Sequence, residues 1–316
     1  MHKIARRSWG LSFVAAVAMS GCDIDIDVPI GGSPSSSTSG DMGGSGQGSS
    51  GQGGSGGSAG SGSQSRCIET PEQVFCPHEQ MSLPGQAGVL RDVLYQVPLG
   101  TPPSAGFPVA ILFQGLLHAP ALMFDAAADA SFGGYHVART IKALLDAGYA
   151  VIAPEAHAEG NTYWDTNVPP WSTNWTAAPD HPFILSILAA ISNGKFGPLD
   201  PSRQYATGIS SGGYMTSRMA VSYPGQFKAL AVHSGSYATC SGALCVIPDF
   251  LPSDHPPTLF LHGEKDYVVP ISTMKAYDSR LQSSGKATRV VVDPAAGHEW
   301  IAVGADEVVA WFDTHP

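Results

Sequence analysis

The segment Gly208-Ile209-Ser210-Ser211-Gly212 contains the pattern Gly-x-Ser-x-Gly, which is typical of a nucleophilic serine on a sharp turn. Two further matches, both within Gly53–Gly60, lie in a tract made almost entirely of glycine and serine, where composition alone produces the pattern. In the first segment the pattern centres on Ser210, because Ile209 stands where a match centred on Ser211 would need glycine. The sequence therefore predicts Ser210 as the nucleophile.

The residues on either side of this turn supply the context that such a serine needs. Arg203–Thr207 has the pattern of a strand and Tyr214–Ala220 that of a helix, so Ser210 falls between the two. The N-terminus of a helix favours developing negative charge, and we expect the backbone N–H of Ser211 to donate a hydrogen bond to an oxyanion. The alternatives are an ordinary glycine-rich turn between strand and helix and a phosphate-binding loop, of which the second is disfavoured because no lysine follows the glycines.

A serine hydroxyl needs a base that is oriented by an acid, and the sequence provides both downstream. Asp266 follows the strand-like segment Leu259–His262, and His298 follows the last strand-like segment and precedes a terminal helix. The order Ser210, Asp266, His298 is the one that accompanies this kind of turn. Glu264, in the same loop as Asp266, is the alternative acid.

A second oxyanion donor is expected from the loop after the apolar run Pro108–Phe113. Gln114-Gly115-Leu116 lies in this position, and Gly115 permits a bend there. We predict the backbone N–H of Leu116 as the donor. An ordinary turn is the alternative interpretation.

These residues need a scaffold, and the chain alternates between strand and helix patterns. The predicted strands are 92–97, 108–113, 149–153, 204–207, 229–233, 258–262 and 289–292, and the predicted helices are 138–145, 182–191, 212–222, 272–281 and 305–312. This alternation predicts a mainly parallel sheet with helices on both faces. In such a sheet the functional groups lie on loops after the carboxyl ends of the strands.

The motifs resemble those of the α/β-hydrolase superfamily, and more narrowly its secreted polyhydroxybutyrate depolymerase and feruloyl esterase family. The resemblance rests on Asp200–Gly213, His262–Pro270 and Gly297-His298, and it extends over about residues 88–315. It implies an α/β-hydrolase that cleaves carboxylic esters, whether polyhydroxyalkanoate-type, aryl or short acyl esters, through an acyl-enzyme on Ser210. It implies no metal and no organic cofactor.

The chain departs from this family in the predicted oxyanion loop. These enzymes usually have His-Gly, often followed by Cys, where this chain has Gln114-Gly115 and Leu116. Because the predicted donor is a backbone N–H, the oxyanion hole can survive the change.

A long segment before the helix at 182–191 contains Trp164, Trp171 and Trp175. Loops in this position border the cleft, and flat aromatic rings suit acyl chains, aryl esters or polymer surfaces. We therefore predict the three tryptophans as substrate-binding residues. The alternative is that the rings pack the loop onto the body of the protein.

The first 21 residues have the features of an export signal, with a basic start and an apolar run, Leu11–Met19, that is too short to span a bilayer. Met19-Ser20-Gly21-Cys22 resembles the lipobox of bacterial lipoproteins, in which the cysteine receives a lipid. We predict an exported protein that is anchored to the cell envelope through a lipid on Cys22. A plain secretory signal is the alternative.

Residues 22–66 are predicted to be a flexible tether, and residues 67–316 the catalytic domain. From residue 31 to residue 66 the sequence is almost entirely glycine and serine and cannot form a core. Such a tract of 36 residues has a root-mean-square span of roughly 30–36 Å, comparable with the diameter of a domain.

The charge of the chain argues against nucleic acid as a partner. The 16 lysines and arginines include three in residues 1–21, which hold no acidic residue, so removing that segment changes the net charge from −10 to −13. An acidic chain without a basic cluster disfavours nucleic acid and anionic lipid headgroups. Any membrane attachment is therefore expected through the lipid on Cys22.

Four cysteines remain after Cys22. In an exported chain they favour two disulfides, and the short separations favour Cys67 with Cys76 and Cys240 with Cys245 among three possible connectivities. A zinc site is the alternative, but the spacings of nine and five residues, without a histidine at ligand spacing, disfavour it.

The sequence thus predicts a tethered serine esterase whose substrate is a small or polymeric ester. Two alternatives stay open: a serine peptidase or acyl-aminoacyl hydrolase with the same triad, and a surface binding protein on an inactive hydrolase fold. The order of the triad argues against the second, but nothing in the sequence separates ester from amide cleavage.

Overall fold

A computed structural model describes residues 64–157 and 163–316. The predicted signal segment, Cys22 and all but the last three residues of the predicted tether lie outside the described residues. The strands are β1 (Ile68–Glu69), β2 (Gln73–Phe75), β3 (Glu79–Pro84), β4 (Leu90–Gln96), β5 (Phe107–Phe113), β6 (Asp125–Ala127), β7 (Ala150–Pro154), β8 (Leu199–Ile209), β9 (Ala229–His233), β10 (Thr258–Gly263) and β11 (Thr288–Asp293). The helices are α1 (Ala121–Phe124), α2 (Gly134–Asp146), α3 (Asp180–Ser192), α4 (Ser211–Ser222), α5 (Ile271–Ser283) and α6 (Gly304–Asp313).

Eight strands form the central sheet in the order β11-β10-β9-β8-β5-β7-β4-β3. The strands from β11 to β7 are parallel to one another, whereas β4 and β3 extend the other edge in antiparallel orientation. Because the inner strands are parallel, their carboxyl ends all lie at the same end of the sheet. The loops that follow β5, β7, β8, β10 and β11 therefore lie close together there, along what is called here the carboxyl edge.

Helices cover both faces of this sheet. Successive side chains of β5 point to opposite faces and are apolar, so both faces must be buried. Ala110 and Leu112 of β5 pack in one apolar cluster with α2 and α6, whereas Val109, Ile111 and Phe113 pack in a second cluster with α3 and α4. A third cluster joins α4 and α5 beside β9 and β10. The mainly parallel sheet with helices on both faces confirms the predicted fold class.

Every predicted strand and helix is present, although their boundaries differ by up to five residues. The sequence missed β1, β2, β3, β6 and α1, because these elements are short or largely exposed and lack a clear apolar period. Strands β1, β2 and β6 form a separate antiparallel sheet. Within the described residues no helix is long and apolar enough to cross a membrane.

Two disulfides join Cys67 to Cys76 and Cys240 to Cys245, which is the pairing that the short separations favoured. Just before the first of them, Arg66 donates from Nε to the carbonyl of Val97 at 2.6 Å. This contact places Arg66 against the body of the domain, one residue earlier than its predicted start.

Candidate active site

Ser210 lies on a sharp turn between β8 and α4. Its backbone has φ 57° and ψ −119°, a region that side-chain-bearing residues rarely occupy and that costs about 1–3 kcal/mol. Two backbone hydrogen bonds fix the turn, from Ser210 N–H to the carbonyl of His233 at 3.1 Å and from Tyr214 N–H to the carbonyl of Ser210 at 3.0 Å. The strained turn holds the serine at the carboxyl edge of the sheet.

The glycines of the motif allow backbone segments to approach closely around this turn. A Cβ on Gly208 would lie 2.5 Å from the carbonyl oxygen of Gly212, and one on Gly212 would lie 2.0 Å from that of Phe113. Both distances are far below van der Waals contact, so neither position accepts a side chain without backbone movement. This is the reason for which the pattern requires glycine on both sides of the serine.

Asp266 and His298 meet at the same edge of the sheet. Oδ2 of Asp266 lies 2.8 Å from Nδ1 of His298, and Oδ1 accepts hydrogen bonds from the N–H groups of Val268 at 2.9 Å and Val269 at 2.8 Å. The carboxylate is buried and the imidazole is half-buried. The structure therefore brings together the predicted acid and base.

The electrostatics of Asp266 decide which nitrogen of His298 holds the proton. Burial by itself raises the pKa of Asp266, but hydrogen bonds from His262, His298 and the Val269 N–H, together with the charge of His298, outweigh it and hold the pKa well below its usual value. An ionised carboxylate can only accept, so Nδ1 of His298 is the donor. In the neutral imidazole this tautomer leaves Nε2 without a proton, as a general base requires.

The loops that hold the acid and the base are joined by backbone contacts. Lys265 N–H donates to the carbonyl of Ala296 at 3.0 Å, and a Cβ on Gly263 would lie 2.2 Å from the carbonyl oxygen of Gly297. Glu264, the alternative acid, is instead about half exposed, and its carboxylate lies 3.8 Å from Nζ of Lys275. The geometry thus favours Asp266 over Glu264.

His262 is a site neighbour that the sequence analysis missed. Its Nε2 lies 2.8 Å from the carbonyl of Val269 and 3.3 Å from Oδ2 of Asp266, and both oxygens are acceptors, so Nε2 is protonated. The side chain is fully buried beneath the acid. The spacing of four residues between His262 and Asp266 is the signal in the sequence that could have indicated this contact.

The predicted oxyanion donors belong to two segments that both lie close to Ser210. Ser211 begins α4, so its N–H is one of the terminal donors that have no acceptor within the helix. The loop after β5 also lies close to the serine, because a Cβ on Gly115 would lie 3.8 Å from Cβ of Ser210. Leu116, the next residue, is half exposed. The roles of Leu116 and Ser211 stay predictions.

The tryptophans predicted to bind substrate do not all lie on a surface. Trp164 is 0% and Trp175 is 6% exposed, and their indole N–H groups bond to the carbonyl of Gln114 and to the hydroxyl of Tyr223. These two rings pack the loop onto the body, which corrects the expectation for them. Trp171 is half-buried, and its role in binding stays a prediction.

Three side chains behind this loop have the composition of a metal site, with ligand atoms of His157, Asp165 and Asp180 within 4.8 Å of one another. However, Oδ1 of Asp180 accepts from Arg91 at 2.7 Å and Oδ2 accepts from the N–H of Asp165 at 2.6 Å. Burial raises the pKa of Asp180 to about 6 although Arg91 opposes the shift. Both oxygens of Asp180 are therefore already engaged by protein donors, and the buried Arg91–Asp180 pair anchors the segment that begins at Asp165.

The sequence of the chain is similar to those of proteins named as ester hydrolases. The chain is 50% identical over 258 residues to a poly(3-hydroxyoctanoate) depolymerase of Pseudomonas fluorescens, a match that covers 80% of this chain and 92% of the relative. It is 36% identical over 104 residues to feruloyl esterase B of Thermothelomyces thermophilus, covering 33% of this chain and 34% of that one. A family model described as the prolyl oligopeptidase family matches residues 249–315.

Solved structures agree on the fold. An S-formylglutathione hydrolase from Agrobacterium tumefaciens superposes with a TM-score of 0.55 at 14% identity, covering 79% of this chain and 98% of that one. The fold, with a serine on a strand-to-helix turn and an acid and a histidine after later strands, defines a serine hydrolase of the α/β-hydrolase superfamily. The chain belongs to the polyhydroxyalkanoate depolymerase and feruloyl esterase family within it. The protein is a carboxylic ester hydrolase.

Proposed function

We propose that the protein hydrolyses carboxylic esters through an acyl-enzyme on Ser210, with His298 as general base and Asp266 as the residue that orients it. The observation on which the proposal rests is the 2.8 Å contact between Asp266 and His298 at the edge where Ser210 occupies its strained turn. This arrangement supplies a serine, a base and an acid in the roles that acyl transfer requires.

In the first half of the reaction, Oγ of Ser210 attacks the ester carbonyl carbon while Nε2 of His298 takes the hydroxyl proton. The carbonyl oxygen becomes an oxyanion, which the N–H groups of Leu116 and Ser211 stabilise. Asp266 holds the imidazolium through Nδ1. The intermediate then expels the alcohol, which takes its proton from His298, and leaves the acyl group on Ser210.

In the second half, His298 removes a proton from a water molecule, and the water oxygen attacks the acyl carbon. The second tetrahedral intermediate collapses with return of the proton to Oγ of Ser210. The products are the carboxylic acid and the free enzyme. No step requires a metal ion or an organic cofactor.

The proposed substrate is a water-insoluble polyester of hydroxyalkanoic acids, as the name of the depolymerase relative suggests. Exposed apolar side chains on the loops near the candidate site support this class, because an apolar surface suits contact with a solid polyester. These side chains, the apolar collar, are Leu116, Leu117, Phe132, Leu244, Tyr267 and Val268. Within the collar, Phe132 lies 6.2 Å from the ring of His298, centroid to centroid, and Tyr267 is 90% exposed.

A substrate panel tests the proposal. Purified protein would be given poly(3-hydroxyoctanoate) latex, methyl ferulate, p-nitrophenyl esters of increasing acyl length and an acyl-peptide anilide. We expect turnover of the polyester and the p-nitrophenyl esters, and none of the anilide. Anilide turnover without ester turnover would contradict the proposal and favour the peptidase alternative, to which the family match over residues 249–315 points.

The apolar collar gives a second, more specific test. We expect Tyr267→Ser and Leu244→Ser to slow clearing of the polymer latex by severalfold while leaving hydrolysis of a short p-nitrophenyl ester nearly unchanged. Leu99→Ser is the matched control, because Leu99 is an exposed leucine in the β4–β5 connection at the opposite, amino end of the parallel strands. Equal slowing by all three variants would argue against the collar as the polymer-binding surface.

We also propose that the protein is exported and held at the cell envelope by a lipid on Cys22, with residues 22–66 as a flexible tether. The lipobox-like segment that ends at Cys22 and the glycine- and serine-rich tract support this proposal. In a bacterial host the full chain should partition into the detergent phase of Triton X-114, and Cys22→Ser should move it to the aqueous phase. Aqueous partitioning of both would contradict lipid anchoring.

A further inference from the structure

Trp164 contacts both sides of the proposed oxyanion hole. Its backbone N–H donates to Oγ of Ser211 at 2.9 Å, and its indole N–H donates to the carbonyl of Gln114 at 3.1 Å. Ser211 is itself a proposed donor, and Gln114 lies two residues before the other, Leu116. One residue therefore connects the helix start that holds one donor with the loop that holds the other.

An oxyanion hole depends on such a connection, because both donors must point to one atom with an accuracy of a few tenths of an ångström. Ser211 lies at the start of a 12-residue helix and is firmly placed. The opposite loop contains Gly115, which imposes little backbone restraint, and Leu117 with φ 59°. A hydrogen bond to the Gln114 carbonyl fixes the peptide plane that leads into this loop.

Trp164 is itself held rigidly. Its ring packs edge-on against Phe113, the last residue of β5, with centroids 5.2 Å apart, and it is 0% exposed. The next residue in the chain, Asp165, donates its N–H to Asp180 at 2.6 Å, and Asp180 forms a buried ion pair with Arg91 at 2.7 Å. The buried Arg91–Asp180 pair thus holds Trp164 in place, and the indole of Trp164 in turn holds the oxyanion loop.

We infer that Trp164 is a positioning residue that sets the distance between the two oxyanion donors, Leu116 N–H and Ser211 N–H. The inference rests on the proposed function, because it concerns the oxyanion of the same reaction. It assigns to Trp164 a role in stabilising the transition state without any contact with the substrate.

Trp175 provides a matched control in the same loop. It is also buried, and its indole N–H also bonds to a buried oxygen, the hydroxyl of Tyr223 at 3.1 Å. Tyr223 follows the last residue of α4, so at 1.5 Å per residue it lies about 18 Å from Ser211. Trp→Phe at either position removes one indole donor and keeps an aromatic ring, but only Trp164→Phe affects the oxyanion loop.

The experiment compares Trp164→Phe and Trp175→Phe in kcat and KM for a p-nitrophenyl ester, in Tm, and in affinity for a trifluoromethyl ketone. The ketone adds to the serine as a hemiketal whose oxygen occupies the oxyanion position. We expect Trp164→Phe to lower kcat by about 10- to 100-fold with KM nearly unchanged. Its affinity for the ketone should fall by a similar factor. Trp175→Phe should lower Tm comparably and leave kcat and ketone affinity near wild type.

Equal kcat and ketone affinity in the two variants would overturn the inference. If Trp164→Phe does not fold, Ser211→Ala replaces it, because it removes the Oγ acceptor of the Trp164 N–H and keeps the Ser211 N–H. We expect a smaller loss of kcat and ketone affinity, severalfold, and no loss would overturn the inference. Failure of the proposed function is distinguishable, because the wild-type protein itself would then lack ester turnover.

Discussion

The acid and the oxyanion loop are held in place by different kinds of contact. Asp266 is oriented by its own loop, since Oδ1 accepts from N–H groups two and three residues further along the chain. The oxyanion side depends on Trp164, whose two hydrogen bonds join residues 47 and 50 positions away. The orientation of the acid is therefore encoded locally, whereas the oxyanion side is encoded by the packing of distant segments.

The largest effect is expected from a substitution of the acid, whose orientation is encoded locally. Asp266→Asn keeps the shape of the acid but makes the side chain a donor as well as an acceptor, so His298 no longer presents an unprotonated Nε2. We expect kcat for a p-nitrophenyl ester to fall by roughly 10³- to 10⁴-fold, as in other triads in which the acid becomes an amide. A fall of less than tenfold would show that Asp266 does not orient the base. Glu264→Gln is the control and should retain nearly full activity.

A somewhat smaller effect is expected from a substitution where the turn around Ser210 approaches the end of β5. Gly212→Ala would place a methyl group 2.0 Å from the carbonyl oxygen of Phe113, so the turn and the end of β5 must separate. We expect the free energy of unfolding to fall by about 3 kcal/mol or more, measured by urea denaturation. Gly85→Ala is the control, because a Cβ there meets its nearest atoms at 3.4 Å, an ordinary contact. Equal losses in both variants would argue against close packing at the turn.

The smallest effect concerns the dependence of stability on pH. Because the pKa of Asp266 is lowered in the folded protein, its contribution is present above the unfolded pKa of about 3.9 and is lost as the pH falls below that value. The loss for one such group is at most about 1.4 kcal/mol per pH unit. Between pH 5 and pH 3, we therefore expect the free energy of unfolding to fall by about 1 kcal/mol less in Asp266→Asn than in the wild-type protein. Identical losses in urea titrations would contradict the lowered pKa.

The difference between local and distant contacts explains how much of the fold and the site could be predicted from the sequence. The parallel strands were predictable because their continuous apolar runs are bounded by turn residues, and the serine, the acid and the histidine follow such strands. Edge strand β3 was missed because only Leu83 of its six residues is buried. Local signals were sufficient wherever a residue is positioned by its own strand and turn.

The tryptophan loop shows where local signals fail. Trp164 and Trp175 were predicted to bind substrate because aromatic residues in a loop near a cleft suit apolar ligands. Neither ring lies on a surface, since both indoles bond to buried oxygens in distant segments. No periodicity within the loop indicates which carbonyl or hydroxyl an indole will contact, so this part of the site required the structure.

Labelling with a fluorophosphonate probe shows directly whether Ser210 is the nucleophile. We expect the wild-type protein to gain one phosphonyl group, located by mass spectrometry on Ser210, and Ser210→Ala to gain none. Ser211→Ala should still be labelled, although more slowly. Absence of labelling in the wild-type protein, or undiminished labelling of Ser210→Ala, would show that Ser210 is not the nucleophile.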